Sequence, residues 1–395
     1  MSLDVLCPRC RARLDAALVC TSCRQEHPRL GSVGVLLSQP DVQVETFRKQ
    51  LGLVIQQGIG SAQTLQTQGA DASFSAATRM RLLGLAHAIL EQVEDLVHVL
   101  GPALGGQLAP DGQVPFPRGA LDYLSYLHRD WAWHEGEEEG EGEGAGAGAG
   151  EAGEEQGKSS DGREEGGGRA ARAKGDPNSE NALALAAIRR VTHGRNVGRT
   201  LVLGGGACRL AYDLHVHCGG TETAVVDIDP FLLLVAEAVI RGGAVPLTET
   251  SVNAPEVDPV SRRWLLRAPA GPLGPEVFHL FLADGLDPPF GKASFDTVLT
   301  PWFIDQVPTD LEALLRTIHG LLAPGGRWIN QGPLIYPPDQ LPIARWYSRR
   351  EIFELAEAVG FRMGDWESAS MPGTLSPLTG RGKIETVLTF EALRS

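Results

Sequence analysis

The chain has 395 residues, a formal net charge of −14, six cysteines and 43% hydrophobic residues. That length allows more than one folded unit, and an acidic chain without basic clusters argues against a nucleic-acid partner. No apolar run approaches the roughly 20 residues of a membrane span. The opening MSLDVLCPRC has neither the basic nor the apolar region of a secretory signal.

The first element is the most specific spacing in the chain. Cys7-Pro8-Arg9-Cys10 and Cys20-Thr21-Ser22-Cys23 are two knuckles nine residues apart. They bring four thiolates to one tetrahedral Zn²⁺ and leave no coordination position open, so the zinc is expected to be structural. With four thiolates available, His27 is expected on the surface. The remaining cysteines, Cys208 and Cys218, lie in an apolar, glycine-rich stretch. They read as reduced thiols in a cytoplasmic protein rather than as a disulfide framework.

Residues 1–38 form this module, and residues 41–133 read as helical. Apolar spacing near 3.6 predicts helices over Val44–Ile55, Ala76–Leu100 and Leu121–Trp133, with a Pro/Gly-rich loop over Gly101–Pro117. Residues 134–177 are an acidic Gly/Glu-rich insertion. Between Glu135 and Gly175 there are twelve acidic and five basic residues, half of the total net charge. Such composition cannot bury a core and is expected to be disordered.

From 178 to 395 strands and helices alternate, after a first helix over Glu180–Val191. Strands are expected at Thr200–Gly204, Thr223–Asp227, Phe278–Asp284, Thr297–Pro301, Arg327–Gln331 and Glu385–Glu391. Helices are expected at Leu210–Val216, Phe231–Arg241, Leu311–Leu322 and Arg349–Val359. This rhythm predicts an α/β fold with a mainly parallel, Rossmann-like sheet covered on both faces.

Three strand ends carry candidate chemistry. The turn Gly204-Gly205-Gly206-Ala207-Cys208-Arg209 lets backbone approach a ligand at a helix N-terminus, which makes Gly204, Gly206 and Arg209 cofactor-binding candidates. Asp227, twenty-three positions after Gly204, ends the next strand, where a carboxylate can accept both ribose hydroxyls of a nucleoside-like cofactor. Asp229 before Pro230 reads as a helix cap. Asp284 and Gly285 end the following strand and could face an adenine or simply form a turn. A dinucleotide fingerprint wants glycine where Arg209 stands, so NAD fits poorly.

The layout resembles class I S-adenosylmethionine-dependent methyltransferases, whose GxGxG reads here as Gly204, Gly206 and Cys208. The acid common two residues before the first glycine is Val202. Leu322-Ala323-Pro324-Gly325-Gly326-Arg327-Trp328-Ile329 continues the resemblance, which implies a seven-stranded sheet and S-adenosyl-L-methionine as cofactor. Within that class, Trp302-Phe303-Ile304-Asp305, Trp328-Ile329-Asn330-Gln331-Gly332-Pro333-Leu334-Ile335-Tyr336, Arg129-Asp130-Trp131 and Tyr347-Ser348-Arg349-Arg350-Glu351-Ile352 resemble the carnosine N-methyltransferase family. The resemblance covers roughly residues 120–390 apart from the insertion.

Members of that family are implied to methylate an imidazole nitrogen of a histidine-containing dipeptide. The resemblance makes Asp305 the catalytic candidate, with Asp305, Tyr336 and Trp302 at the substrate and Arg129, Asp130 and Trp131 capping the site. A helix cap is the alternative role for Asp305. Two positions depart from the family: Pro337 replaces a histidine, and Gly380-Arg381-Gly382-Lys383 stands where the family places tyrosines. The cysteine module is similar to Trm112-like zinc domains, which implies self-docking on the catalytic domain. The implied function is N-methylation of a small molecule or peptide. The alternatives are an RNA or protein methyltransferase, or a non-catalytic zinc- and cofactor-binding scaffold.

Overall fold

A computed structural model describes residues 3–105, 124–133, 179–252, 259–307, 310–338 and 341–395. The acidic insertion and most of the Gly101–Pro117 stretch lie outside the described residues. After the cysteine knuckles, β1 (Arg29–Leu30) and β2 (Val33–Leu36) make a short hairpin. Two long helices follow, α1 (Pro40–Ala70) and α2 (Ala76–Leu104), with Pro40 opening the first and Ser75 capping the second. Helix α2 runs past the predicted end at Leu100, so Gly101–Leu104 are helical rather than loop. Pro102 lies in the last turn, where it gives up the hydrogen bond its own N–H would make to the preceding turn. Helix α3 (Leu124–Trp131) precedes the insertion and α4 (Glu180–Val191) follows it.

Then come β3 (Gly198–Leu203), α5 (Arg209–His217), β4 (Gly220–Asp227) and α6 (Pro230–Ile240). A separate antiparallel hairpin, β5 (Val245–Thr250) and β6 (Ser261–Leu266), was not expected from the sequence. The remainder is β7 (Phe278–Ala283), β8 (Phe295–Pro301), α7 (Leu311–Leu321), β9 (Leu322–Gly332), α8 (Arg349–Val359), β10 (Phe361–Gly373) and β11 (Lys383–Arg394).

Among the described residues the main sheet has nine strands, in the order β1-β2-β7-β4-β3-β8-β9-β11-β10. Seven of them, β7 to β10 in that order, make the expected doubly wound sheet, parallel except where β11 runs antiparallel to β9 and β10. The count of seven is corrected to nine because β2 pairs in parallel with β7, Gly34 opposite Phe281 and Leu36 opposite Ala283. The fold is thus the class I methyltransferase type of α/β sheet with a hairpin added at one edge.

Alternate strand residues fill two cores, as the pleat requires. Val202, Val225, Leu280 and Ile329 pack with α4, α5 and α6 on one face. Leu201, Val226, Phe281 and Trp328 pack with α7 and α8 on the other. Between β7 and β8 the chain forms no helix, and there Leu3, Val5 and Leu18 of the cysteine module join Phe281 and Phe290 in that second core. The strand order reverses between β3 and β8, and open α/β sheets bind ligands at the carboxyl ends beside such a switch.

Candidate active site and cysteine centre

The turn after β3 is built for close approach. Gly204 (φ +74°) and Gly205 both donate to the Val226 carbonyl, at 2.9 and 3.3 Å. A Cβ on Gly204 would sit 2.5 Å from the Phe303 ring, whereas one on Gly206 (φ +53°) would meet nothing within 4 Å. That space over Gly206 is where a ligand can reach the backbone. Cys208 takes the left-handed conformation (φ +68°) that a glycine adopts without strain, while its side chain is fully buried. Burial pushes its thiol well up.

Asp227 closes the turn from the neighbouring strand. Its Oδ2 accepts from Gly206 N–H at 2.7 Å and its Oδ1 from Asp229 N–H at 2.9 Å. Burial holds its carboxyl above the usual range despite those donors. Each oxygen keeps one further lone pair, so the residue fits the ribose role. Asp229 caps α6 through Phe231 and Leu232 N–H, and burial pushes it up to about 6. Asp284 is exposed at the end of β7, with Oδ1 on Leu286 N–H at 2.8 Å, and the Phe303 ring also reaches Gly285. Gly206 is thus bonded to Asp227, one Phe303 ring meets both Gly204 and Gly285, and Asp284 ends the neighbouring strand; these groups fit a nucleoside-bearing cofactor.

Arg209 turns another way. Its Nε donates to both Asp213 oxygens at 3.0 Å and Nη1 to the Asp130 carbonyl at 2.5 Å, with the guanidinium over the Trp131 ring. Trp131, fully buried, donates from Nε1 to the Ala207 carbonyl at 2.8 Å. Helix α3 is thereby clamped onto the glycine turn from both sides, a contact that sequence reading missed. Arg129 pairs with Asp130 at 2.6 Å and Glu180 at 2.9 Å, which joins α3 to the start of α4.

Across the switch, β8 ends in a strained corner. Trp302 has φ +43°, its N–H donates to the Gln331 carbonyl at 2.7 Å, and a Cβ on Gly332 would come within 2.9 Å of its backbone. Three residues on, Asp305 is completely buried. Its Oδ2 accepts from Ile335 N–H and Gln306 Nε2, each at 3.0 Å, while Oδ1 has no partner. Burial raises its pKa above the usual range, and the charge of Glu385 adds to that. Asp305 caps no helix: α7 starts at Leu311 with Asp310 as its cap. Tyr336 is buried next to it, donating to the Tyr347 carbonyl at 3.1 Å, with Trp346 stacked at 6.5 Å. Burial, then the nearby Asp305 charge, raises the Tyr336 phenol.

The four knuckle cysteines converge. All their sulfurs lie within 4.8 Å of one another, with Cys7 and Cys23 Sγ 3.7 Å apart and Cys10 and Cys20 Sγ 3.4 Å apart. Thiolates at about 2.3 Å from a tetrahedral zinc are about 3.8 Å apart, so the set fits that ion. Burial pushes the Cys7 thiol up to about 11. At Cys20 burial acts in the same sense, but N–H groups of Cys23 and Ser22 and the neighbouring thiols bring it down to about 6. His27 is not on the surface as expected. It is 3% exposed, with Nε2 at 3.7 Å from Cys7 Sγ and Nδ1 at 3.3 Å from the Val35 carbonyl, because the β1–β2 hairpin folds back over the knuckles.

Among known proteins, residues 272–370 match the family model described as "Carnosine N-methyltransferase". A carnosine N-methyltransferase of Dictyostelium discoideum is 51% identical over 43 residues, 11% of this chain, and the match spans 9% of that relative's length. Solved structures with a similar course include the 1,6-didemethyltoxoflavin-N1-methyltransferase of Burkholderia thailandensis. It is 19% identical with TM-score 0.33, covering 55% of this chain and 79% of that one. An S-adenosylmethionine-dependent methyltransferase of Mesorhizobium loti is 17% identical with TM-score 0.34, covering 54% and 97%. The segment 272–370 that is similar to the carnosine N-methyltransferase family model contains Asp305, Ile335 and Tyr336 and is set in a doubly wound sheet.

Proposed function

We propose that this chain is a cytoplasmic S-adenosyl-L-methionine-dependent N-methyltransferase whose acceptor is an imidazole-bearing small molecule or peptide. One observation carries the acceptor half of this reading. Asp305 presents a fully buried carboxylate oxygen that lacks a partner, beside the strand switch. A buried acceptor without a donor is costly, and an imidazole N–H supplies that donor. Held there, a neutral ring keeps one tautomer, and the carboxylate steadies the positive charge that develops as the other nitrogen is alkylated. S-adenosyl-L-methionine, when bound, supplies the methyl group. Gly204, Gly206, Asp227, Asp284 and Gly285 would hold it, Arg209 would position the turn, and Trp302 and Tyr336 would wall the acceptor.

The cysteine module would bind structural zinc and dock in cis on the catalytic sheet. The β2–β7 pairing and the bond from Leu6 N–H to the Pro289 carbonyl at 2.8 Å support that docking. Calorimetry with S-adenosyl-L-methionine, followed by transfer of labelled methyl to imidazole dipeptides, tests the whole reading. Saturable binding and label on an imidazole nitrogen are expected. Label appearing only on RNA or protein would move the acceptor, and no heat of binding would favour a scaffold.

A further inference from the structure

Glu249 on β5 joins three elements that are far apart in the chain. It is 8% exposed, and its carboxylate accepts three hydrogen bonds. Oε2 takes the indole N–H of Trp133, just past α3, at 3.0 Å and that of Trp264 on β6 at 2.7 Å. Oε1 takes the hydroxyl of Ser376, in the loop between β10 and β11, at 2.6 Å. Indoles only donate and a carboxylate only accepts, so these donors offset the cost of burying the charge. The hairpin is itself fixed by α2. Asp95 accepts from Thr248 N–H and Oγ1 at 2.9 and 2.8 Å, and Gln92 Nε2 donates to the Thr248 carbonyl at 2.7 Å.

The loop held by Oε1 is the tip of the β10–β11 ribbon. Because Leu388 pairs with Gly332, the last residue of β9, residues 383–387 of β11 run on past the carboxyl end of that strand. There Met371 and Val387 pack with Ala187 of α4 and with Trp302. The tip is strained: Thr374, a β-branched residue, has φ +47°, and its N–H donates to Glu180 at 2.8 Å. Ser376 orders the rest, its Oγ accepting from Thr379 N–H at 3.1 Å and its carbonyl from Gly380 N–H at 2.8 Å. Strain of this kind persists only where surrounding bonds over-determine the backbone. Glu180 and Glu249 supply those bonds.

We infer that Glu249 is a positioning residue for the acceptor side of the site: through Ser376 it holds the β10–β11 tip, and through the tip it fixes the Trp302 corner. This rests on the reading of Trp302 as a wall of that site. The β5–β6 hairpin, which lies outside the main sheet, is then the fixed post to which the tip and the end of α3 are tied. A displacement of about 1 Å can cost about 10²-fold in rate, and a side chain locked by supporting bonds avoids that loss.

The test compares the parent with Ser376→Ala, Ser376→Thr and Glu249→Gln in labelled methyl transfer to carnosine. Ser376→Ala removes the bond to the tip and leaves both indoles satisfied. Glu249→Gln keeps the volume but offers one accepting oxygen where two are used. Each should lower kcat/KM for the acceptor about tenfold or more. The Kd of S-adenosylhomocysteine by calorimetry should stay within about twofold, since Trp131 and Arg209 still clamp α3 to the glycine turn. Ser376→Thr, which keeps the hydroxyl, should restore the parent's value, and the double variant should be no slower than Glu249→Gln alone. Hydrogen exchange reads the tie without an acceptor. The amides of residues 374–382, and the Trp302 N–H that donates to Gln331, should exchange faster in Ser376→Ala and Glu249→Gln. If the parent methylates no imidazole compound but the Trp302 amide still loosens with the tip, the acceptor reading falls and this inference stands. An unchanged kcat/KM in Ser376→Ala, additive losses in the double variant, or a Trp302 amide that exchanges as in the parent overturns it.

Discussion

At the scale of single residues the account turns on a buried acid with one oxygen satisfied and one free. Asp305→Asn keeps the shape and the Ile335 contact but removes the charge, so cofactor affinity should hold while kcat falls about 10²- to 10³-fold, the cost of losing one preorganised electrostatic group. Its raised pKa has a definite sign: the ionised form is needed, so kcat/KM should fall on acidification with a midpoint above the ordinary aspartate range. A pH profile checks this. Gly332→Ala would push a methyl against the Trp302 backbone at 2.9 Å. We expect a loss of stability of about 1–3 kcal/mol in denaturant unfolding, together with slower turnover. Asp227 and Asp284 could be nominated because carboxylates at predicted strand ends have a limited set of uses, and Asp305 through the family resemblance. His27 was misjudged because a local spacing rule cannot see the hairpin that buries it.

At the scale of elements, the glycine turn lacks the acid at Val202 and the third glycine at Cys208, and α3 braces it instead. Trp131→Phe removes the bond to Ala207 and keeps the ring. Cofactor KM should rise about fivefold, worth roughly 1 kcal/mol for one hydrogen bond, with kcat at saturation and acceptor KM unchanged. Steady-state kinetics separates these terms, and a fall in kcat alone would contradict the bracing role. The central strands were readable as apolar runs between turn signals. β10 was not: FRMGDWESASMPG is mostly half-buried or exposed and has no clean alternation. Helix α1 extends fifteen residues beyond its predicted end at Ile55, through a stretch whose three glycines and two threonines weaken its propensity. Packing explains it, since Gly58 and Gly69 let Val93 and Leu83 of α2 approach to 2.5 and 2.8 Å of where a Cβ would sit.

At the scale of the whole molecule, the cysteine module is joined to the sheet edge and to the face that lacks a helix between β7 and β8. Arg11 pairs with Asp287 at 3.2 Å and Gly291 N–H donates to the Asp4 carbonyl at 2.9 Å. Purified protein should hold one zinc per chain by metal analysis. Cys20→Ser should lose it and lower the single unfolding transition of the whole chain by several kcal/mol, since metal binding here is coupled to folding. A separate early transition, with the main one unmoved, would show that the module is an appendage. That the four knuckle cysteines converge on one point could be read from their spacing. That their module completes the catalytic sheet could not, because strand pairing between residues some 250 positions apart leaves no local mark.

The most direct measurement is transfer of labelled methyl from S-adenosyl-L-methionine to histamine and to imidazole dipeptides by the parent chain and by Asp305→Asn, with cofactor binding followed in parallel. The account predicts saturable cofactor binding by both proteins and label on an imidazole nitrogen with the parent alone. Equal label with the two proteins, or no cofactor binding by either, would contradict it.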